Sequence, residues 1–376
     1  MMFRFSQLLI FLGIAGLLFS CNDSSTDEPQ PGLVIPAVYD SSKFDTHSAD
    51  QRAFLARFKV LVDTIKKGRT GSTFTFGLLN SLFQSGDPSA ASVSTEYYRN
   101  QILGEEGYLM DLVRAGGNTY TPGPPGGNGG TFGGYLFDKH GVEPEQMIEK
   151  GVFGAGLYHT LNLYFEKAQT EAVVNQELAI VGLNPTFPNS STSKVRRPDA
   201  FFAVYIARRD KNDGQGFYSL IRKDFIKLQA AAKWGDTYAK ERSEAIAGIR
   251  SNMEKVNAAT VINYCHSVQS TMSKTNLTEA DKGSALHALG ECIAFTHGYR
   301  QLPARFRKIT DAQIDSVLSQ LYYPIGGTPE PWKFITAPAD NLSRLTTVIT
   351  TLKGIYGFTD AQIEDFKKNW IVEQNR

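Results

Sequence analysis

The chain has 376 residues, with 39 Lys and Arg against 38 Asp and Glu and a formal net charge of +1. That balance excludes the basic footprint of a nucleic-acid binder. Hydrophobic residues at 41% suit a globular body, and beyond the first segment no apolar run approaches the roughly 20 residues needed to span a bilayer.

Arg4 supplies a positive charge, and Leu8 to Phe19 form an apolar stretch of about a dozen residues, a signal-peptide length too short to span a membrane as a helix. Leu18-Phe19-Ser20-Cys21 reads as a lipobox, with a small residue before the cysteine and Leu three places before it. Residues 1–20 are therefore expected to be a lipoprotein signal, with Cys21 the lipid-bearing mature N-terminus. An ordinary secretory signal with a chance cysteine is the alternative. Acyl chains at ~0.8 kcal/mol per buried methylene make a durable anchor. Residues 21–36 are polar and proline-bearing, which predicts a flexible tether. Their early acidic residues resemble export signals of surface lipoproteins, and a solvated linker explains them as well. Both the periplasmic and the cell-surface face stay open.

From Ser48 the pattern turns helical. Phe54, Leu55, Phe58, Leu61, Val62 and Ile65 repeat at three and four residues, and Gly68 and Gly71 end the helix. Further helices are predicted at about 73–84, 95–114, 143–170, 199–209, 216–273, 278–300, 310–321, 340–355 and 359–374. The longest should break near Trp234-Gly235-Asp236. Thr278, Thr310 and Thr359 are followed by first-turn acidic or capping-box residues. No alternating strand pattern persists, so the class is all-α. Residues 115–134, rich in glycine and proline, and 183–198 should be loops. The second separates two candidate halves, 37–185 and 195–376. Its Lys194, Arg196 and Arg197 read as a solvated basic patch. Asp210-Lys-Asn-Asp-Gly214 resembles the start of a calcium loop but lacks the closing carboxylate, so a solvated turn is expected.

Three of the six histidines and two cysteines fall between residues 260 and 300. The segment reads as an antiparallel helical hairpin turning near residue 278. Cys265 and Cys292 lie equally far from the turn, as do His266 and Glu291. In an oxidising compartment this predicts a disulfide between Cys265 and Cys292, with two packed thiols as the alternative. His287 and Glu291 are four apart and share a helix face. They can ligate one metal ion, with His266 completing a triad, or form a buried hydrogen bond that fastens helices. The zinc-peptidase pattern HExxH, a phosphate-binding glycine loop and a Gly-x-Ser-x-Gly elbow are absent. His159, on a helix rich in glycine and apolar residues, reads as a core histidine.

Val34 to Phe44, Gly134 to Glu143, Gln146 to Gly154, and His287-Ala-Leu-Gly-Glu291 together resemble a lipoprotein family of Gram-negative bacteria linked to the imelysin-like proteins. The resemblance implies one imelysin-like all-helical domain over 37–376, built of two helical-bundle halves with long irregular loops. It implies an outer-membrane lipoprotein, on the periplasmic or cell-surface face, with a ligand-binding role in iron or haem acquisition. Iron, haem and zinc are the candidate ligands, and the membrane and an outer-membrane transporter the partners. The imelysin motif Gly-x-His-x-x-Glu is altered: Gly-x-x-His-x-x-Asn surrounds His159, and His-x-x-x-Glu contains His287. That departure argues against peptidase activity. A surface lipoprotein that binds glycan or peptide through Tyr120, Phe132, Tyr135, Trp332 and Phe334 is a second reading. A metal-dependent hydrolase is a third.

Overall fold

The computed structural model describes residues 31–190 and 194–376. The signal segment, Cys21 and most of the tether lie outside the described residues. Helix accounts for 62% and strand for 2%, which places the chain in the all-α class. Seven helices carry the site or pack against those that do. These are α1 (Ala49–Lys66), α2 (Pro144–Val152), α3 (Phe202–Arg208), α4 (Phe217–Ala232), α5 (Ala239–Met272), α6 (Glu279–His297) and α7 (Pro338–Tyr356).

The frame is the hairpin of α5 and α6. Its 34-residue first arm is about 51 Å long at 1.5 Å per residue. Thr278 closes the turn by a reciprocal capping box with Asp281. Helices α4 and α7 pack on α5, and α2 packs on α6. The predicted break falls at residues 233–238: one helix ends at Ala232, and Gly235, at φ +59, opens the tight turn that leads into the next. The capping boxes at Thr310 and Thr359 both form. The apolar stripe of α1 is buried throughout. Residues Val34–Arg376 form one unit with a core that runs through both candidate halves.

Several predicted elements differ. The stretch 95–114 is two helices, Glu96–Leu103 and Tyr108–Ala115, because Gly104 and Gly107 leave the helical conformation between them. The stretch 143–170 passes through a π-helical segment at Phe153–Tyr158 and ends at Phe165. A further helix, Glu171–Ile180, is capped by Thr170. Asp210 is buried rather than solvated: its carboxylate accepts from the amides of Asn212 and Ser219 and from Asn189.

The predicted loop at 115–134 contains a strand. β1 (Gly130–Phe132) pairs antiparallel with β2 (Tyr135–Phe137). Its turn rests on α6. A side chain at Gly133 (φ +53) would meet the Glu279 carbonyl at 2.5 Å and Gly283 Cα at 2.7 Å. Two glycines thus let a turn backbone touch a helix backbone, and this brings Tyr135 over His287.

The two cysteines do face each other across the hairpin. They are free thiols, however, with Sγ atoms 3.8 Å apart. Both are fully buried, and the Cys292 thiol donates to the Val261 carbonyl at 3.5 Å. They pack as small apolar groups rather than as a bridge.

Replacing Gly283 with Val should push the hairpin turn off α6. The expected cost is about 1–3 kcal/mol, the usual range for overpacking, measured by denaturant melts. Unchanged stability would mean the contact with Gly133 is slack.

Candidate functional site

His287 sits on α6, half-buried between three elements. Its Nδ1 is 2.6 Å from Glu143 Oε2. Glu143 is fully buried, just before Pro144 opens α2. Its other oxygen accepts from Arg69 at 3.0 Å. Arg69 also grips Glu145 with two hydrogen bonds, of 2.6 and 2.8 Å. Above them the Tyr135 ring stacks on His287 at 4.4 Å, and the Arg69 guanidinium lies 4.8 Å from the centre of the same ring. Glu143, Arg69, Tyr135 and His287 therefore close a cycle in which each restrains the next.

With Nδ1 held by Glu143, the free Nε2 faces Glu291 at 3.7 Å. Glu291 is 4% exposed and accepts from the Tyr205 hydroxyl at 3.2 Å. Both His287 and Glu291 border a cleft of about 390 Å³. The cleft gathers Lys66 from α1, Arg69 beyond it, Glu149 and Lys150 from α2, Tyr205 and Arg208 from α3, and Tyr264 from α5. Lys150 is buried, and its ammonium lies 2.9 Å from Glu149. Burial opposes its charge, but Glu149, Tyr205 and Glu291 outweigh burial and raise its pKa. Lys66 reaches the same carboxylate at 3.3 Å. Arg208 lies 4.7 Å from the Tyr205 ring centre and forms no ion pair among the described residues. Chemically, the cleft offers an unshared guanidinium, a buried ammonium and an imidazole nitrogen whose proton can be given or taken.

The structure brings together His287 and Glu291 but not His266. His266 lines a separate depression with Gln269 and Lys367, and its Nε2 has no partner. Cys265 faces α6, and a helix turns about 100° per residue, so the next side chain points away from the hairpin seam. Among the described residues no group of three His, Cys, Asp or Glu is arranged to hold a metal ion. A resident zinc therefore does not fit these side chains. His159 is half-buried, near the Val93 carbonyl and the Phe306 ring, as a packed histidine. His297 is fully buried between the hydroxyls of Tyr97 at 2.7 Å and Tyr108 at 3.0 Å. Burial, then Arg300, pushes its pKa down to about 3, so it stays neutral. Of the aromatic side chains considered for glycan binding, Tyr120 and Phe334 are buried and Tyr135 is committed to His287.

Sequence reasoning missed Arg69, Lys150, Tyr205, Arg208 and the pairing role of Glu143. The one local signal was the acidic start of α2, where Glu143, Glu145 and Glu149 cluster before a lone Lys150. No known protein family, curated protein or solved structure matches the chain.

Burial lowers the pKa of His287, but Glu143 and then Glu291 more than offset that, and the net shift is upward. The stability gained from this proton is complete below the ordinary histidine pKa of about 6.5 and is lost as pH climbs through the raised value. Glu145, pushed up to about 7 by burial and by Glu143, moves stability in the same direction. The gap in melting temperature between the parent and His287→Gln should be widest below pH about 6 and narrow above it. A gap independent of pH would count against a protonated His287. Replacing Glu143 with Gln should cost roughly 1.5–3 kcal/mol in chemical denaturation, the worth of a charge-assisted hydrogen bond.

Proposed function

We propose that this chain is an imelysin-like outer-membrane lipoprotein, anchored through Cys21, that captures a small anionic ligand in the cleft between α2, α3 and α6. The observation that carries the reading is the cation set of the cleft, and within it Arg208, which has no carboxylate of its own. A half-buried guanidinium that borders the cleft and is held over a ring is preorganised to take an oxyanion.

An iron-acquisition role fits this chemistry in one form. The protein offers the Glu291 carboxylate and, only when its proton is lost, His287 Nε2, too few donors to seize a bare ion. An iron chelate that brings its own oxygen donors is anionic and would satisfy the cations. At about 390 Å³ the cleft is near the small end of the ~300–1,000 Å³ range of ligand pockets, which favours a compact chelate over haem. No helix among the described residues is long and apolar enough to cross a membrane. In this reading attachment rests on the lipid at Cys21 and delivery on a transporter partner.

The test is calorimetric titration of the full chain in detergent with ferric citrate, citrate alone, zinc and haem. Ferric citrate should bind at micromolar concentration, and Arg208→Gln should weaken it about tenfold or more, equivalent to ~1.4 kcal/mol, with little change in melting temperature. Failure of all four ligands to bind at about 1 mM, a free energy near −4 kcal/mol, would end the anion reading. Cys21→Ser should move the protein from the membrane to the soluble fraction and abolish labelling by radioactive palmitate. A variant that stays labelled would show that lipid is attached elsewhere.

A further inference from the structure

A second pocket, of about 330 Å³, lies where the start of α4 meets the end of α7 and the C-terminal helices. One side of it is aromatic, with Phe217, Tyr356, Phe358, Phe366 and Trp370, and the rest is polar. Phe366 stacks on Phe217 and meets the edge of Phe358 at 5.0 Å, so these walls are rigid.

One polar group stands among them without a counterpart. Arg209 is 6% exposed and lines the pocket. Its Nη1 donates to the Phe366 carbonyl at 3.0 Å, and its Nε finds no acceptor. It forms no ion pair among the described residues. Burial lowers its pKa to about 10, which still leaves it charged at neutral pH. A buried, unpaired cation is costly, and folds retain one where something else compensates it. The amino end of α4 opens on the same space through Gly216, Phe217 and Leu220. There the buried Asp210 carboxylate already accepts from the Ser219 amide, so the helix end is satisfied and Arg209 is the group left to pair. On the rim, Lys211 pairs with Asp365, Asp213 accepts from the Gln215 amide, and Lys255 has no ionic partner among the described residues. Among the lining side chains three cations, Arg209, Lys211 and Lys255, stand against the carboxylates of Asp213 and Asp365.

We infer that this pocket binds a small organic carboxylate with an aromatic body. The carboxylate would pair with Arg209, and the body would lie among the aromatic side chains. A planar guanidinium matches a planar carboxylate. A carboxylate carries one charge to desolvate against the aromatic side chains, where a phosphate carries two, and it leaves an organic body to pack on them. The site is separate from the His287 cleft and does not rest on the function proposed for it.

The test uses the full chain in detergent, with N-acetylphenylalanine, its amide and inorganic phosphate as probes in calorimetry and thermal melts. The free acid should bind and raise the melting temperature, while the amide binds about tenfold more weakly or not at all and phosphate has no effect. Arg209→Gln should abolish acid binding while melting at the parent temperature or above it, because an uncompensated charge has been removed. Lys255→Gln, on the rim, should fold normally and weaken the acid about threefold. Lys66→Gln, in the cleft and partly exposed, should bind the acid as the parent does, which keeps this pocket distinguishable from the cleft. The inference is overturned if the parent binds no acid at about 1 mM, or if acid and amide bind equally. It is also overturned if Arg209→Gln retains binding.

Discussion

A fully buried carboxylate is tolerable only while its partners stay in place. Glu143 is that group here. Arg69 and His287 hold one oxygen each, and they arrive from segments 74 and 144 residues away in sequence. The pairing ties the end of α1, the start of α2 and the middle of α6 into one frame. The β-hairpin closes it from above through Tyr135. Because the partners come from different elements, the site can exist only when the whole fold does. His287 cannot turn its Nε2 away from Glu291 without giving up Glu143, so the geometry at the cleft is a consequence of the core.

The close approach of α2 to α6 makes this possible. A side chain on Gly298 would meet the Gly151 carbonyl at 2.4 Å, and one on Gly154 would meet the Gly298 carbonyl at 2.8 Å. Backbone touches backbone at the end of α6, so Glu143 and Lys150 on one helix stand opposite His287 and Glu291 on the other. The π-helical segment at Phe153–Tyr158 begins at this contact. Such segments re-aim the residues that follow them, and they recur near functional sites. Here the wider turn carries buried aromatic side chains, Phe153 against Tyr205 and Phe295, and Tyr158 against Tyr299.

The cleft and the Arg209 pocket use adjacent residues of one short segment. Arg208 ends α3 and faces the cleft, while Arg209 faces the aromatic pocket. Two neighbouring guanidiniums thus sit in different surroundings. One is partly solvated and rests on a ring. The other is stripped of water and donates to a carbonyl. Burial opposes the charge of both, and Tyr205, Tyr264 and Glu291 favour it at both; they outweigh burial at Arg208 and fall short of it at the more deeply buried Arg209.

Local chemistry decided the helices. Side-chain oxygens of Thr278, Thr310 and Thr359 satisfy amides within one turn, and the apolar stripe of α1 buries itself, so both were legible from spacing alone. The level placement of Cys265 and Cys292, and the shared face of His287 and Glu291, follow from helix geometry in the same way. Being level is not being opposite, however, and His266 turns away from the seam that Cys265 enters. The hairpin inside the glycine-rich loop was hidden because three-residue strands carry no period, and its position depends on a distant glycine. Glu143, Arg69, Lys150 and Arg208 were hidden for a related reason. Charge pairing across the chain leaves no trace in local periodicity, and only folded packing determines which carboxylate a cation meets and which cation is left without one.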